Sequence, residues 1–286
     1  MTQRSAPDKL AHVKARRPAL DFAEARAHWI PDAPAYAYQL DAASTMLPYL
    51  EPYLIKVQKL ARECLDPTAD ADLIADIDLF NRQEANHFQL HARYNETLRR
   101  HYPGLEPFEA EIKADFERFL REKSLAWNLA YCEGFECTGL VSAEFFFGPA
   151  QPFLRTADPA SRDLWSWHLA EEFEHRSVCH DVLAALHPGW LRRLRGYSDF
   201  LTHLQRYGNR VAEYLKSVDR ERGTYAADAE AKDREFDRVR GRFMLPRLAR
   251  ILSPFYDPAP PPDAADPRGG AAALRSALKR SGWSPR

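Results

Sequence analysis

The sequence predicts an all-α fold, a four-helix bundle followed by additional C-terminal helices. Apolar residues recur at three- and four-residue intervals over several long stretches, and no segment alternates with period two over a useful length. Strong stop signals divide these stretches: Asp66-Pro67, Tyr102-Pro103-Gly104, Gly148-Pro149 and His187-Pro188-Gly189. The third observation is chemical. Glutamates and histidines, which belong on solvated faces unless they are paired, stand on the apolar stripes of four of these helices.

Residues 1–43 read as an N-terminal extension packed on the bundle. A polar, basic, frayed start over 1–20 leads into an ordered segment of aromatics and prolines (Phe22, Trp29, Pro31, Pro34, Tyr36, Tyr38) laid over the core. The metal-binding bundle is expected over 44–187. Its first helix opens at Ser44 as N-cap, with Pro48 in the opening turns, and aligns Leu47, Glu51, Leu54, Ile55 and Gln58. A second helix, from about Asp70 to His101, turns Ile77, Phe80, Glu84, His87 and His91 inward. A third covers about Phe108 to Phe147, with Ala126, Ala130, Glu133, Cys137, Leu140 and Glu144 on one face. The fourth opens at Asp158-Pro159, an N-cap followed by proline at N1, and carries Trp165, His168, Glu172, His175 and Cys179 on its way to about Leu186. Arg- and Leu-rich helices follow within 188–252. The Pro- and Ala-rich stretch 253–286 offers too little apolar surface for a core and reads as a flexible tail, with a short basic helix near Leu274–Lys279.

Composition narrows the function. A chain of 286 residues can bury a sizeable core, and 40 Lys+Arg against 41 Asp+Glu leave no global field drawing it to nucleic acid or an anionic membrane. The start MTQRSAPDKLAHVKARRP lacks the apolar core of a signal peptide, and no run approaches the roughly 18 apolar residues of a transmembrane segment. The cysteines (Cys64, Cys132, Cys137, Cys179) lack CxxC spacing, so free thiols and a cytoplasmic setting are expected.

Two Glu-x-x-His pairs, Glu84/His87 and Glu172/His175, carry the chemistry. Residues three apart are neighbours on a helix face, so each pair can hold one ion. Glu51 and Glu133, on the helices that alternate with them, would complete a site for two cations. Four carboxylates cancel two divalent charges, and this makes the donors tolerable in an apolar interior. A single such pair is usually a solvated surface feature; two, on separate apolar stripes in alternating order, are not. Glu136 and Glu144 compete with Glu133 on the third helix, and Glu171 and Glu174 flank Glu172 on the fourth. His91 and His168 fall one turn outside the pairs. Either can be a hydrogen-bonding donor behind the ligands, a proton shuttle, an additional ligand or a core histidine, and the catalytic expectation is placed on both.

At these residues the chain resembles the bacterial family called "predicted metal-dependent hydrolase". The resemblance runs through Arg16-Arg17-Pro18, Leu20-Asp21-Phe22, Trp29 and Leu47-Pro48-Tyr49-Leu50-Glu51. It continues through Gln83-Glu84-x-x-His87-x-x-x-His91-x-x-x-Asn95 and Trp165-x-x-His168-x-x-x-Glu172-x-Glu174-His175-x-x-Val178, and covers roughly residues 16–220. Leu50 stands where members tend to have glycine, and Gly134 follows Glu133 where they tend to have Glu-His. The family name implies a hydrolase, whereas the ligand pattern is similar to ferritin-like di-iron carboxylate proteins.

Three functions are therefore expected in order. The first is an oxygen-activating di-iron oxidoreductase acting on a small organic substrate; with no flavin or nicotinamide fingerprint in the chain, it requires an external electron donor. The second is a hydrolase in which two Zn, Mn or Fe ions activate water. The third is a non-catalytic metal-binding bundle. Mixed carboxylate and imidazole donors suit two iron ions, with Mn or Zn as alternatives.

Overall fold

A computed structural model describes residues 14–258, and these are all-α: no strand occurs among them. The helices are α1 (Pro34–Arg62), α2 (Ala71–His101), α3 (Glu106–Glu122), α4 (Leu125–Phe147), α5 (Pro159–His175), α6 (Val178–Leu186), α7 (Trp190–Arg222) and α8 (Ala229–Ile251), with a 3-10 turn at Gln151–Leu154. Helix α1 packs on α2 and α4, and α5 packs on the same two, so these four close a ring around one interior. Helices α7 and α8 both lie against α1 and α4, while α3 packs on α1 and α7.

The first helix begins at Pro34, not at Ser44. Its opening turn has no local side-chain cap; Asp233 of α8 accepts the Ala35 N–H at 2.8 Å instead. A cap supplied from so far along the chain leaves no local mark. Ser44 is buried inside the helix and serves the interior. Its hydroxyl donates to Asn95 Oδ1 (2.6 Å), which leaves it to accept from His91 Nδ1–H (2.8 Å). Pro48 has no N–H to offer the Ser44 carbonyl one turn back, and Asn95 Nδ2 takes that place at 2.8 Å.

Two expected long helices are each broken. The third divides at Ser124, whose hydroxyl accepts the Trp127 N–H at 3.2 Å as the N-cap of α4. Asn128 bridges the break: its amide donates to Ser124 O (3.0 Å) and its Oδ1 accepts from Tyr53 (2.7 Å). The fourth breaks at Arg176–Ser177, directly after His175, where Arg176 Nη1 donates to Phe173 O (2.6 Å) and Nε to Pro258 O (3.1 Å). Helix α7 approaches α4 through Gly196, where a Cβ would stand 2.5 Å from the Ala130 carbonyl carbon, so alanine does not fit.

The chain before α1 is tied onto this frame. Trp29 is fully buried, and its indole donates to Asp41 Oδ1 (3.0 Å), which also accepts from Tyr94 (2.8 Å). The Asp158 N–H returns to Trp29 O at 2.8 Å. Of the fraying expected over 1–20, residues 1–13 lie outside the described residues, while 14–20 are held in place, Arg16 by Glu171 and Glu174 and the Leu20 carbonyl by Arg93 at 3.1 Å. Of the tail expected over 253–286, the part from 259 with its basic helix also lies outside them.

Candidate metal centre

Inside the ring stand Glu51 from α1, Glu84 and His87 from α2, Glu136 from α4, and His168, Glu172 and His175 from α5, all buried. Two groups of donor atoms, each within 4.8 Å of one another, emerge: Glu51, His87 and His168, and Glu84, Glu172 and His175. Glu84 and Glu172 lie between the groups. Glu84 Oε1 is 3.1 Å from His175 Nε2 and 3.6 Å from His87 Nδ1. Glu172 presents Oε1 to His168 Nε2 (3.4 Å) and His87 Nδ1 (3.7 Å), and Oε2 to His175 Nε2 (3.6 Å).

Glu133 does not join them. It is buried on another side of α4, where Oε1 accepts from His180 Nδ1–H at 3.0 Å with the Arg193 guanidinium 3.8 Å away. Its place in the interior is taken by Glu136, whose Oε2 lies 3.4 Å from His175 Nε2. Glu144, the other alternative on this helix, pairs with Arg247 at 3.2 Å. Of the two outlying histidines, His168 belongs to one of the donor groups. His91 stands behind it, with ring centroids 4.8 Å apart.

The donors fit cations on an observation of their own. Both oxygens of Glu51, Glu84, Glu136 and Glu172 are buried without a hydrogen-bond partner, as are His87 Nδ1, His168 Nδ1 and His175 Nε2. Leaving one such atom unsatisfied in an apolar interior costs about 1–3 kcal/mol, more if charged, so an unpaired cluster of carboxylates requires protons or metal ions. Burial pushes Glu51 well above the usual carboxylate range, reinforced by Glu84 and Glu172, and burial with Glu172 repulsion raises Glu136 to about 8. Burial would lower His87, but Glu84 and Glu171 outweigh it and hold the imidazole at about 9. Burial would raise Glu172, yet the imidazoles led by His175 outweigh it and hold it at about 2.

Behind the donors is a supporting layer that joins both Glu-x-x-His pairs. His87 donates Nε2–H to Glu171 Oε2 (3.1 Å), leaving Nδ1 toward the carboxylates. His175 donates Nδ1–H to Gln83 Oε1 (3.1 Å), leaving Nε2 toward them, and Gln83 Nε2 donates to Glu174 Oε2 (3.0 Å). Both chains end on Arg16. Its backbone N–H meets Glu171 Oε1 at 2.8 Å, and its guanidinium meets Glu171 at 3.2 Å and both oxygens of Glu174 at 2.7 Å. A carboxylate or amide on the far nitrogen fixes which nitrogen of an imidazole is free and strengthens it as a donor. Arg16 had signalled itself only as part of a resemblance. Gly139 gave no signal at all, although a Cβ there would come within 2.7 Å of Glu172 Oε2.

Aromatic rings wall the site: Phe80 meets His175 edge-on at 4.8 Å, Trp167 meets His87 at 4.8 Å, and Trp165 meets His91 at 4.9 Å. Three ring nitrogens on the His87/His168 side lack partners besides the donors themselves, the indole N–H groups of Trp165 and Trp167 and His91 Nε2.

The family described as "predicted metal-dependent hydrolase" matches residues 14–260, most of the sequence, and the chain belongs to that family. No curated protein and no solved structure matches it.

Proposed function

We propose that this family member is a dinuclear metal-dependent hydrolase, holding two divalent cations with Glu51, Glu84, His87, Glu136, His168, Glu172 and His175. The convergence of buried carboxylate and imidazole atoms that lack any other partner carries this reading. In this reading Glu136 replaces Glu133 in the ligand set, and of the roles open to His168 it takes that of an additional ligand. Ions held there supply Lewis acidity and make water nucleophilic near neutral pH.

The protein's own residues supply the rest. His91 gives its Nδ1–H to Ser44, so Nε2 keeps its lone pair. Burial, with His168 and His87 nearby, lowers its basicity well below that of a free imidazole, which keeps it neutral. Its unpartnered Nε2 can accept a hydrogen bond from attacking water and orient it. The unpartnered Trp165 N–H, with its ring beside His91, is a donor for a substrate oxygen. This pair is the polar clamp that hydrolysis needs and that no sequence motif announced.

The test loads metal-stripped protein separately with Zn, Mn and Fe(II), measures ions per chain, and assays a panel of esters and phosphoesters beside oxygen consumption. About two ions per chain and metal-dependent ester or phosphoester turnover are expected. Oxygen consumption with Fe(II) and no hydrolysis would replace this reading with the di-iron oxidoreductase. That second reading draws its support from the donor set itself, all carboxylate and imidazole, walled by Phe80, Trp165 and Trp167.

Arg16 gives a separate expectation. Arg16→Ala removes the group on which the Glu171 and Glu174 chains converge, and metal affinity should fall by about 10–100-fold, the usual effect of losing an outer partner. Competition with a chelator measures it. Unchanged affinity would show that the imidazoles are oriented without Arg16.

A further inference from the structure

Large apolar side chains seldom gather on a surface that has no partner. Among the described residues the exposed ones are Leu60, Trp190, Leu191, Leu245, Leu252 and Phe255, and all but Leu60 belong to the first turn of α7 or to the last turns of α8 and the residues just after it. Hydrogen bonds join these two segments. The Trp190 indole donates to Leu252 O at 2.9 Å, and the buried Arg193 guanidinium donates to Ile251 O and Ser253 O. Leu245 and Leu252, seven residues apart, fall on one helical face with Leu248 between them. Leu191 is 74% exposed and Phe255 91%.

The charge of the same segments is one-sided. Residues 182–198 contain Arg192, Arg193 and Arg195 and no Asp or Glu, and residues 238–256 contain Arg238, Arg240, Arg242, Arg247 and Arg250 and no Asp or Glu. Arg238, Arg240 and Arg247 are paired with Glu235, Asp237 and Glu144. Arg192, Arg195 and Arg250 are exposed and form no ion pair among the described residues. The near-zero net charge of the chain conceals this local excess.

We propose that the α7/α8 junction is a peripheral docking surface for an anionic phospholipid membrane. Tryptophan, leucine and phenylalanine tips reach the acyl boundary while the flanking guanidinium groups pair with headgroup phosphates. No helix among the described residues is long and apolar enough to cross a membrane, so the contact is interfacial. A second copy of the chain is the poorer occupant, because a two-fold contact here would bring the same arginines together.

The experiment sediments the full chain with vesicles of phosphatidylcholine alone and of phosphatidylcholine mixed with phosphatidylglycerol, at low and high salt. Binding to the mixed vesicles is expected, at least about tenfold stronger than to phosphatidylcholine alone and weakened by salt. The double variant Leu191→Asp/Phe255→Asp, altered only at exposed positions, should bind at least about tenfold more weakly with melting temperature and metal content unchanged. Absence of binding to anionic vesicles, equal binding to both compositions, or undiminished binding by the double variant overturns the proposal. Self-association that the double variant abolishes, without vesicle binding, assigns the surface to a second copy and overturns it too.

Discussion

Replacing Glu172 by alanine is expected to remove both metal ions, from about two per chain to well below one, with helix content largely retained. The carboxylate is the one group whose two oxygens face opposite halves of the centre: Oε1 toward His87 and His168, Oε2 toward His175. Its loss takes a donor from each half and also removes the charge that holds His175 well above the usual imidazole range. The affinity loss should exceed the roughly hundredfold upper range for losing an outer partner. Glu133→Ala is the matched control. That side chain faces His180 and Arg193, so its loss should leave two ions bound while costing about 1–3 kcal/mol of stability from the hydrogen bond it abandons. Elemental analysis and circular dichroism on both variants check the pair. If Glu133→Ala sheds metal and Glu172→Ala keeps it, the centre assigned here is wrong.

The choice between Glu133 and Glu136 shows where sequence reasoning reached its limit. The Glu-x-x-His pairs were legible because three-residue spacing on a helix fixes both side chains to one face, whatever the helix packs against. Helix α4 is different. Leu129, Cys132, Glu136, Cys137, Val141 and Phe145 are all buried, so the helix is covered on nearly every side and has no single inward stripe. Its rotation is set by neighbours that periodicity cannot see. Gly196 of α7 abuts Ala130, and a Cβ on Gly134 would lie 3.1 Å from Phe200 Cβ, so the stripe through Ala130 and Glu133 turns toward α7 and Glu136 turns into the ring. The same reason hid the start of α1, capped by Asp233, and Arg16, whose partners Glu171 and Glu174 lie some 155 residues on. Local rules found most of the helical stretches and most of the side chains that gather inside the ring. Tertiary contacts set which carboxylate of α4 faces that interior and what stands behind the imidazoles.

Protons and cations should compete for this cluster, and the sign of the competition is fixed. In metal-stripped protein Glu136 titrates near 8, raised by burial and the neighbouring carboxylates; His87 titrates near 9, where Glu84 and Glu171 outweigh the lowering by burial; and burial lifts Glu51 well above the usual carboxylate range. Each of these groups has a folded pKa above its unfolded one, so the folded chain binds more protons, and the stability it confers is lost as pH rises through the folded value. Burial depresses His168 to about 3 and lowers His91, which act in the opposite sense, but only below about pH 6.5, where an unfolded histidine takes up its proton. Glu172, held near 2, matters only in acid. Between about pH 6.5 and 9 the stripped protein should therefore lose melting temperature steadily. Asp41, raised to about 8 by burial against its Tyr94 and Trp29 hydrogen bonds, adds to this slope whether or not metal is bound, so the difference between loaded and stripped protein is the informative quantity. Cation binding displaces the protons on Glu136 and His87, so affinity rises over the same window and the loaded protein loses only the part of the melting temperature that Asp41 imposes. The gap between the two curves should widen from pH 6.5 to 9, with on the order of one proton released per ion in weakly buffered solution. A gap that stays constant or narrows would mean that protons, not metal ions, are what these buried carboxylates hold.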